Sequence, residues 1–438
     1  MTGDTPQKRS LTSQMLDTAV ASVAFMALTF IAGVMLSRLL GPEGRGIYGT
    51  VQFWAQLGFG LLSFSVFDAA VIRLRKSKDH PESALPSVMV LALAALAIYV
   101  LVATAAVALD LIEIGDFGGT TFIWASALLV ALGLSTRAFT VVESAKLDFR
   151  RLNIERIVSP VLFVLAIGLL FLLDIADPLV MVLAFVAAAV PILVWRIIRF
   201  RGYLIGRVDR QSLRSDVRTG GKLHLATGSF SLARQFDRIL LVAIWPAQLL
   251  GFYFVAFTAA SASVSLVMQS LSVTLLPTLS GLDPELRKKR LEQLLRLAIL
   301  SVFATAVPII LVAPYIVPLV YGEAFREAAW YLQGLAIPTA LFPLQSIINI
   351  ANRSVERVWP SIAMAASIIG VFAIGYAVTG YDDPKWVFVA LATGNAIAVA
   401  IGIFSLRSYG MIALRSALLP STADFRVLFD ALRRYVRR

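Results

Sequence analysis

The sequence contains no cysteine and only two histidines among its 438 residues. Their scarcity excludes disulfide bonds, thiol catalysis, iron–sulfur clusters and a zinc site built from His and Cys. Charged residues are also few, at 15% of the chain, whereas hydrophobic residues make up 58% and the mean hydropathy is +0.81. A chain of this length with so apolar a composition is not expected to be soluble. Lipid is therefore predicted to be the solvent for most of the protein.

The few charges are strongly unbalanced, with a net charge of +12. A nucleic-acid-binding protein would gather its basic residues on one soluble face. Here they occur in short groups between apolar runs, and we interpret them as a signal of membrane topology. No nucleic-acid partner and no cofactor are predicted.

Apolar windows long enough to cross a bilayer recur along the whole chain. A hydrocarbon core of about 30 Å requires roughly 20 apolar residues per helix. We therefore predict an all-α polytopic membrane protein of about twelve spans, the first of them a retained helix and not a cleaved signal peptide. The windows are 16–37, 48–72, 85–109, 120–142, 154–174, 178–198, 223–245, 250–276, 294–320, 329–350, 359–379 and 385–406. The connections are too short for a soluble catalytic domain, so no enzymatic activity is expected.

The basic residues orient these spans, because cytoplasmic connections retain Lys and Arg. With the N-terminus inside, 32 of the 39 basic residues lie in inner segments, whereas four lie in outer ones. Both termini are thus predicted to be cytoplasmic in a bacterial inner membrane. The predicted organisation is a tail at 1–15, a six-helix bundle at 16–198, a basic cytoplasmic linker at 199–222, a second six-helix bundle at 223–406 and a basic tail at 407–438. Within that tail, residues 421–438 are predicted to form a basic amphipathic helix on the membrane surface or a docking site for a partner protein.

The two predicted bundles share a short sequence pattern. Pro42 is followed by Gly46-Ile-Tyr48 where helix two begins, and Pro246 is followed by Gly251-Phe-Tyr253 where helix eight begins. An even number of spans in each half indicates a parallel repeat, which would place a binding site between two pseudo-symmetric bundles around a central cavity.

Three basic residues remain inside predicted spans: Arg137 in helix four, and Arg234 and Arg238 in helix seven. Arg234 and Arg238 share a helix face, and Asp237 can neutralise one of them. In one interpretation these are structural ion pairs, with Arg137 bound to Glu143 or another carboxylate. In the other, the surplus guanidinium groups line the cavity and bind an anion such as pyrophosphate.

Uncharged polar residues and carboxylates add further candidates. Gln52 and Gln56 in helix two, and Gln269 in helix eight, could hydrogen-bond sugar hydroxyls or simply hold helices together. Asp17, Asp68 and Asp237 could bind a coupling proton or sodium ion. For Asp17 and Asp68 the alternative is a solvated carboxylate at a helix end, in the case of Asp68 close to Arg73.

Four stretches resemble the multidrug/oligosaccharidyl-lipid/polysaccharide exporter superfamily, and within it the Wzx-type polysaccharide and O-antigen flippases. They are Ser37-Arg-Leu-Leu-Gly-Pro-Glu-Gly-Arg-Gly-Ile-Tyr48, Arg234-Gln-Phe-Asp-Arg-Ile-Leu-Leu241 with Gly251-Phe-Tyr253, Leu276-Pro-Thr-Leu-Ser280 and Val320-Tyr-Gly-Glu-Ala-Phe325. The resemblance covers nearly the whole chain.

The resemblance implies alternating access between two six-helix bundles and a substrate of undecaprenyl-diphosphate-linked oligosaccharide, used for surface polysaccharide such as lipopolysaccharide O-antigen or exopolysaccharide. It implies a substrate-binding role for Arg234 and Arg238, and less directly for Arg137. Polysaccharide polymerases and glycosyltransferases would be functional partners. The alternatives are a drug exporter of the same superfamily and, in another class, a membrane enzyme such as a polymerase.

Overall fold

The computed structural model describes residues 11–63, 65–76, 80–109, 118–146, 149–280, 283–355 and 357–418. Side chains are described from residue 20 onward, except at 149–150, 222–223, 225–227, 265–280 and 353. The predicted amphipathic helix at 421–438 lies outside these ranges, as do the side chains of Asp17 and Gln269.

Helices make up almost all of the described chain, and the described residues contain no β-strand. Short 3₁₀ turns occur at Pro81–Ala84 and Glu323–Phe325. The α-helices are α1 (Leu11–Leu62), α2 (Val66–Lys76), α3 (Leu85–Ala108), α4 (Gly119–Ala145), α5 (Phe149–Leu172), α6 (Pro178–Leu204), α7 (Arg210–Ala233), α8 (Phe236–Ile244), α9 (Ala247–Ser280), α10 (Pro284–Tyr321), α11 (Ala328–Ala340), α12 (Phe342–Arg353), α13 (Trp359–Thr379), α14 (Lys385–Ser408) and α15 (Leu414–Leu418).

Ten helices of the described chain are long and apolar enough to cross a membrane. One of them, Val20–Leu62, is 43 residues long. At a rise of 1.5 Å per residue such a helix would extend about 65 Å, roughly twice the hydrocarbon thickness. It divides at Gly41, whose backbone is not helical (φ 66°, ψ −179°) and which is followed by Pro42. The all-helical, polytopic fold class is thus confirmed.

The span predicted as helix seven, at 223–245, has different bounds in the structure, where it is formed by α7 and α8. Helical structure begins at Arg210, well before residue 223, so that most of the predicted linker at 199–222 belongs to α6 or α7. The ten apolar helices do not include α7, whose hydropathy is lowered by polar and charged residues, or α8, which is only 9 residues long. Twelve spans are reached only if α1 counts twice and α7 with α8 counts once, and this number stays a prediction.

The chain divides into two compact units. The first comprises Met1–Leu225 with Leu241–Gly251, and the second comprises Ala226–Leu240 with Phe252–Arg438. In the first unit α3 packs on α4, and α1 packs on α5. Its core contains many alanines, among them Ala70, Ala92 and Ala138. Small residues let helix backbones approach closely, which is how helices gain packing energy where lipid supplies no hydrophobic drive.

The second unit is built around the pair α13 and α14, with α10, α11 and α12 packed beside them. Its core joins Leu295 of α10, Ile348 of α12, Met364 of α13 and Ala398 of α14. Amide and hydroxyl groups accompany this packing: Gln345 donates to the Asn395 side chain over 2.7 Å, and Ser405 donates to that of Asn352 over 3.1 Å. These polar pairs fasten α12 to α14.

Large apolar side chains cover the outer faces of both units. Leu101, Trp124 and Leu172 in the first unit, and Leu319 and Phe404 in the second, are among those almost fully exposed. A soluble monomer rarely exposes so much contiguous apolar surface. These faces are suited to lipid tails.

Charged contacts in the first unit join segments that the topology places on the same side. Arg73 forms a bidentate pair with Asp216, both bonds being 2.8 Å, and Lys146 pairs with Glu82. All four residues lie in predicted inner segments. This grouping agrees with the alternation of the spans, whereas the identity of the cytoplasmic face stays a prediction.

Arg45 is not in a connection, although it falls between the predicted windows 16–37 and 48–72 and counts among the four predicted outer cations. It belongs to the helical part of α1 after the bend and is buried. Its guanidinium lies 5.7 Å from the centroid of the Tyr48 ring. The Gly-Pro bend occupies so few residues that the helix resumes before position 45.

The two glycines of the repeated pattern meet in the first unit. A Cβ on Gly46 would overlap the carbonyl oxygen of Ala247, and one on Gly251 would overlap that of Pro42. The contacts are reciprocal, because Ala247 and Gly251 each lie 205 residues after Pro42 and Gly46. Equivalent segments that pack about a pseudo-twofold axis give this geometry, which explains why glycine recurs at both positions.

We expect Gly46→Ala and Gly251→Ala to destabilise the protein by about 1–3 kcal/mol, since the obstructing atoms are backbone and cannot move aside as a side chain can. Gly60→Ala is the matched control, because it lies in the same helix as Gly46 with open space around it. Thermal unfolding of the purified variants in detergent measures the difference. Equal melting temperatures for all three variants would contradict the close approach.

The absence of cysteine allows a direct test of topology by single substitutions. We expect Ala176→Cys and Asp382→Cys, both exposed and in predicted outer segments, to react with an impermeant maleimide in intact spheroplasts. Ser215→Cys and Ser408→Cys, exposed in predicted inner segments, should react only after permeabilisation. The opposite pattern would invert the orientation.

Candidate functional site

The two arginines of helix seven lie where that helix is interrupted. α7 ends at Ala233 and α8 begins at Phe236. Helical hydrogen bonding resumes from the Ile239 amide to the Gln235 carbonyl, over 3.1 Å. The Arg238 guanidinium donates to the carbonyl of Arg234 over 3.0 Å and so satisfies an acceptor at the break. The interruption leaves the positive end of α8 beside both arginines.

Arg234 is held by an aromatic ring. Its guanidinium lies 4.1 Å from the centroid of the Phe342 ring, which belongs to the start of α12. Within the described part of the chain Arg234 forms no ion pair, although Asp237 is three residues away. Stacking on a ring face leaves the edge of a guanidinium available for hydrogen bonds.

Asp237 is instead directed toward α9. Tyr253 donates a hydrogen bond to its Oδ2, and its Oδ1 lies 3.8 Å from Nε of Arg238. Arg238 in turn stacks over Phe257, at 4.1 Å from the ring centroid. The Tyr253 hydroxyl therefore orients the carboxylate, and the carboxylate with Phe257 fixes Arg238.

A small cavity opens next to this group. It measures about 20 Å³, enough for one water molecule. Arg234 and Asp237 line it together with Phe257, Phe342 and Asn395. One cation, one carboxylate and one amide thus border a space that water or a ligand oxygen could occupy.

Arg137 is paired with a carboxylate, as one interpretation expected, but the partner is not Glu143. Its guanidinium lies 2.5 Å from Oδ1 of Asp68, and the two side chains are 42% and 55% exposed. The expected partner Glu143 is bound to Arg196 instead, and Arg73, expected near Asp68, is bound to Asp216. Which carboxylate pairs with which arginine depends on how the helices pack, and the spacing of residues in the sequence does not reveal it. Of the two interpretations of Arg137, its geometry matches the ion pair.

The two glutamines predicted in helix two have no described contact that points to a binding role. Gln52 is partly buried and Gln56 is exposed, both in the second part of α1. Arg137, Gln52 and Gln56 belong to the first unit, whereas Arg234, Asp237 and Arg238 belong to the second. Within the second unit the structure brings the last three together.

Sequence reasoning missed a second charged cluster. Arg196, only 2% exposed, donates to Glu143 over 2.7 Å, to Glu155 and, over 3.2 Å, to the carbonyl of Thr136. Arg196 was counted with the basic residues of the inner connection, although it lies inside the predicted window 178–198. That position, and the position of Glu155 inside the window 154–174, were the available signals.

The chain matches the family model described as polysaccharide biosynthesis protein over residues 35–330. No curated protein sequence matches it at a significant level. Among solved structures, it is similar to a lipid II flippase MurJ in an inward closed conformation, with a TM-score of 0.65 and 13% identity over 91% of this chain and 88% of the other.

Two transporters of the multidrug/oligosaccharidyl-lipid/polysaccharide superfamily are similar as well. A Pyrococcus furiosus transporter, described as having a binding pocket of reverse polarity, gives a TM-score of 0.54 at 16% identity over 90% of this chain and 94% of its own. An outward-facing multidrug resistance transporter gives 0.59 at 15% identity, over 90% and 95%. The resemblance to this superfamily that was expected from the sequence is thereby confirmed for the fold.

The two Arg–Asp pairs differ in burial, which predicts different energies. Asp237→Ala should lower stability by about 3–5 kcal/mol, because it leaves neighbouring buried cations without their carboxylate. Asp68→Ala, the control, removes an exposed pair and should cost at most about 1 kcal/mol. Unfolding in detergent with increasing denaturant measures both. A smaller loss for Asp237→Ala than for Asp68→Ala would show that the carboxylate does not neutralise the site.

Proposed function

Because this chain belongs to the family of polysaccharide biosynthesis proteins, we propose that it is a flippase that carries undecaprenyl-diphosphate-linked oligosaccharide from the inner to the outer leaflet of the inner membrane. The transported glycan serves the assembly of a cell-surface polysaccharide. The protein acts as a transporter and not as an enzyme.

The observation that carries this proposal is the surplus cation of the second unit. Asp237 is within ion-pair distance of Arg238, and Arg234 forms no ion pair within the described chain. A cation in the membrane costs at least about 2.5–3.5 kcal/mol on insertion scales, so a protein retains one where an anion or water offsets the cost. A lipid-linked diphosphate supplies that anion.

Each residue then has a distinct role. Arg234 binds phosphate oxygens with the edge of its guanidinium, while its face stays on Phe342. The N-terminus of α8 adds a partial positive charge. Arg238 is a positioning residue, because it is tied to the Arg234 carbonyl and to Phe257. Arg137, Gln52, Gln56 and Gln269 contact the glycan as the cavity opens alternately to each side.

The membrane potential supplies a driving force in the required direction. Each negative charge that moves outward across an inside-negative membrane gains about 2.3 kcal/mol per 100 mV. A diphosphate with two charges gains roughly 4–5 kcal/mol. Coupling to a proton or sodium ion at Asp17, Asp68 or Asp237 is therefore not required, and Asp68 and Asp237 serve as partners of Arg137 and Arg238.

A drug exporter of the same superfamily is the second candidate, favoured by the similarity to multidrug resistance transporters. A cationic drug requires a buried carboxylate that is accessible to it. The carboxylate beside the cavity, Asp237, already accepts a hydrogen bond from Tyr253 and lies next to Arg238. The polarity of this group favours an anionic substrate.

A decisive experiment replaces the two arginines separately in cells that display the glycan. We expect Arg234→Ala to lower surface glycan about 10- to 100-fold and to accumulate lipid-linked precursor, since one charged hydrogen-bonding group to phosphate is lost. Arg234→Lys should retain part of the transport, because lysine keeps the charge without the planar fork. Arg238→Lys should also be partly active.

Arg326→Ala is the matched control, since Arg326 is an exposed arginine paired with Glu323 at the surface. Protein levels in the membrane are compared for all variants. Wild-type display by Arg234→Ala at normal protein level would exclude a substrate-binding role. Drug sensitivity of a deletion strain with unchanged glycan would favour the exporter.

A further inference from the structure

A basic pocket lies at the end of the second unit where three separate segments meet. They are the start of α10, the connection between α12 and α13, and the residues that follow α14. The pocket has a volume of about 180 Å³. None of the residues that line it was considered above for transport.

The lining of this pocket is strongly cationic. Arg287 and Lys288 come from the start of α10, and Arg357 comes from the connection opposite. Asp283 is close in sequence, and its carboxylate caps α10 by accepting from the amides of Glu285 and Leu286, each over 3.1 Å. Basic side chains from two segments around one space favour an anion of compact size.

The walls of the pocket are fixed by contacts outside it. Arg357 stacks over the ring of Tyr409, so the two sides of the pocket are joined. Beyond Tyr409, the Ala413 amide donates to Glu292 of α10 over 2.8 Å, and Arg296 donates to the carbonyl of Ser416. Arg357 and the segments that form the pocket are thus held in place before any ligand binds, which reduces the entropic cost of binding.

Exposed apolar residues stand immediately beside the cations. Val358 and Trp359 follow Arg357 and are 39% and 80% exposed, and Tyr409 is exposed at the pocket edge. Trp and Tyr concentrate at the level of lipid headgroups, with their rings toward the acyl chains. A ligand that offers a phosphate to the cations and a chain to Val358 and Trp359 matches both features.

We propose that this pocket binds the phosphate of an anionic phospholipid in the leaflet that borders it, the inner leaflet by the predicted topology. Basic pockets between membrane helices on the cytoplasmic side commonly hold such headgroups. The bound lipid fastens the start of α10 to the segment after α14. The proposal is independent of the transported substrate.

Native mass spectrometry of the full-length protein with added lipids tests the site. The probes are phosphatidylglycerol, phosphatidylcholine, inorganic phosphate and undecaprenyl diphosphate, and each affinity is measured for the wild type and for two double variants. Arg287→Ala with Lys288→Ala removes two pocket cations. Lys289→Ala with Arg290→Ala removes the same charge from the same turn at exposed positions that do not line the pocket.

We expect phosphatidylglycerol to bind more tightly than phosphatidylcholine, and the pocket variant to lose about fivefold for each cation removed. The control variant should lose less than twofold. Arg357→Gln provides a second pocket variant if the first does not fold, and melting temperatures without lipid compare all of them.

Three results would overturn the proposal. Equal losses in both double variants would indicate diffuse attraction to the surface and no site. Equal binding of phosphatidylcholine would remove the role of the anionic headgroup. Binding of undecaprenyl diphosphate or inorganic phosphate, but not of phosphatidylglycerol, would assign the pocket to another phosphate compound.

Discussion

A charge enclosed by membrane helices has to be neutralised by a partner or reached by water, and this constraint shapes both units of the protein. In the first unit two carboxylates meet it. Arg196 is surrounded by Glu143, Glu155 and the Thr136 carbonyl, which together join α4, α5 and α6. A buried pair of this kind is costly to break on one side, since the remaining charge is then uncompensated. The cluster therefore sets the arrangement of three helices.

In the second unit the constraint is met only in part. Asp237 is oriented by Tyr253 and lies beside Arg238, while Arg234 rests on Phe342 and forms no ion pair among the described residues. Two carboxylates accompany Arg196 in the first unit, whereas one carboxylate accompanies Arg234 and Arg238 in the second. A site that lacks one negative charge is prepared to receive it from a ligand, which is the physical basis of the proposed transport.

Close backbone contact is the second requirement, because lipid provides no hydrophobic drive to press helices together. Gly46 and Gly251 meet it reciprocally, each against the carbonyl of a residue in the other's segment. The break between α7 and α8 has a related role, because it frees the Arg234 carbonyl to accept a hydrogen bond from Arg238.

The sequence by itself determined the environment and the helical class, because hydropathy depends on the solvent and not on contacts. The superfamily followed from the resemblance of four short stretches. The sequence also identified Arg234, Asp237 and Arg238 as a group, since three residues on one helix share neighbouring faces. The reciprocal glycines were visible as a repeated Gly-apolar-Tyr pattern. Their contact was not.

Tertiary structure alone decided the partners. Arg137 pairs with Asp68 and not with Glu143, and Asp237 accepts a hydrogen bond from Tyr253. Side chains far apart in sequence compete for the same charged partner. The buried Arg196 and the pocket at Arg287 and Arg357 were hidden for the same reason: each is assembled from three segments. Hydropathy reports how each segment meets its solvent, whereas the pairing of charges depends on which helices become neighbours.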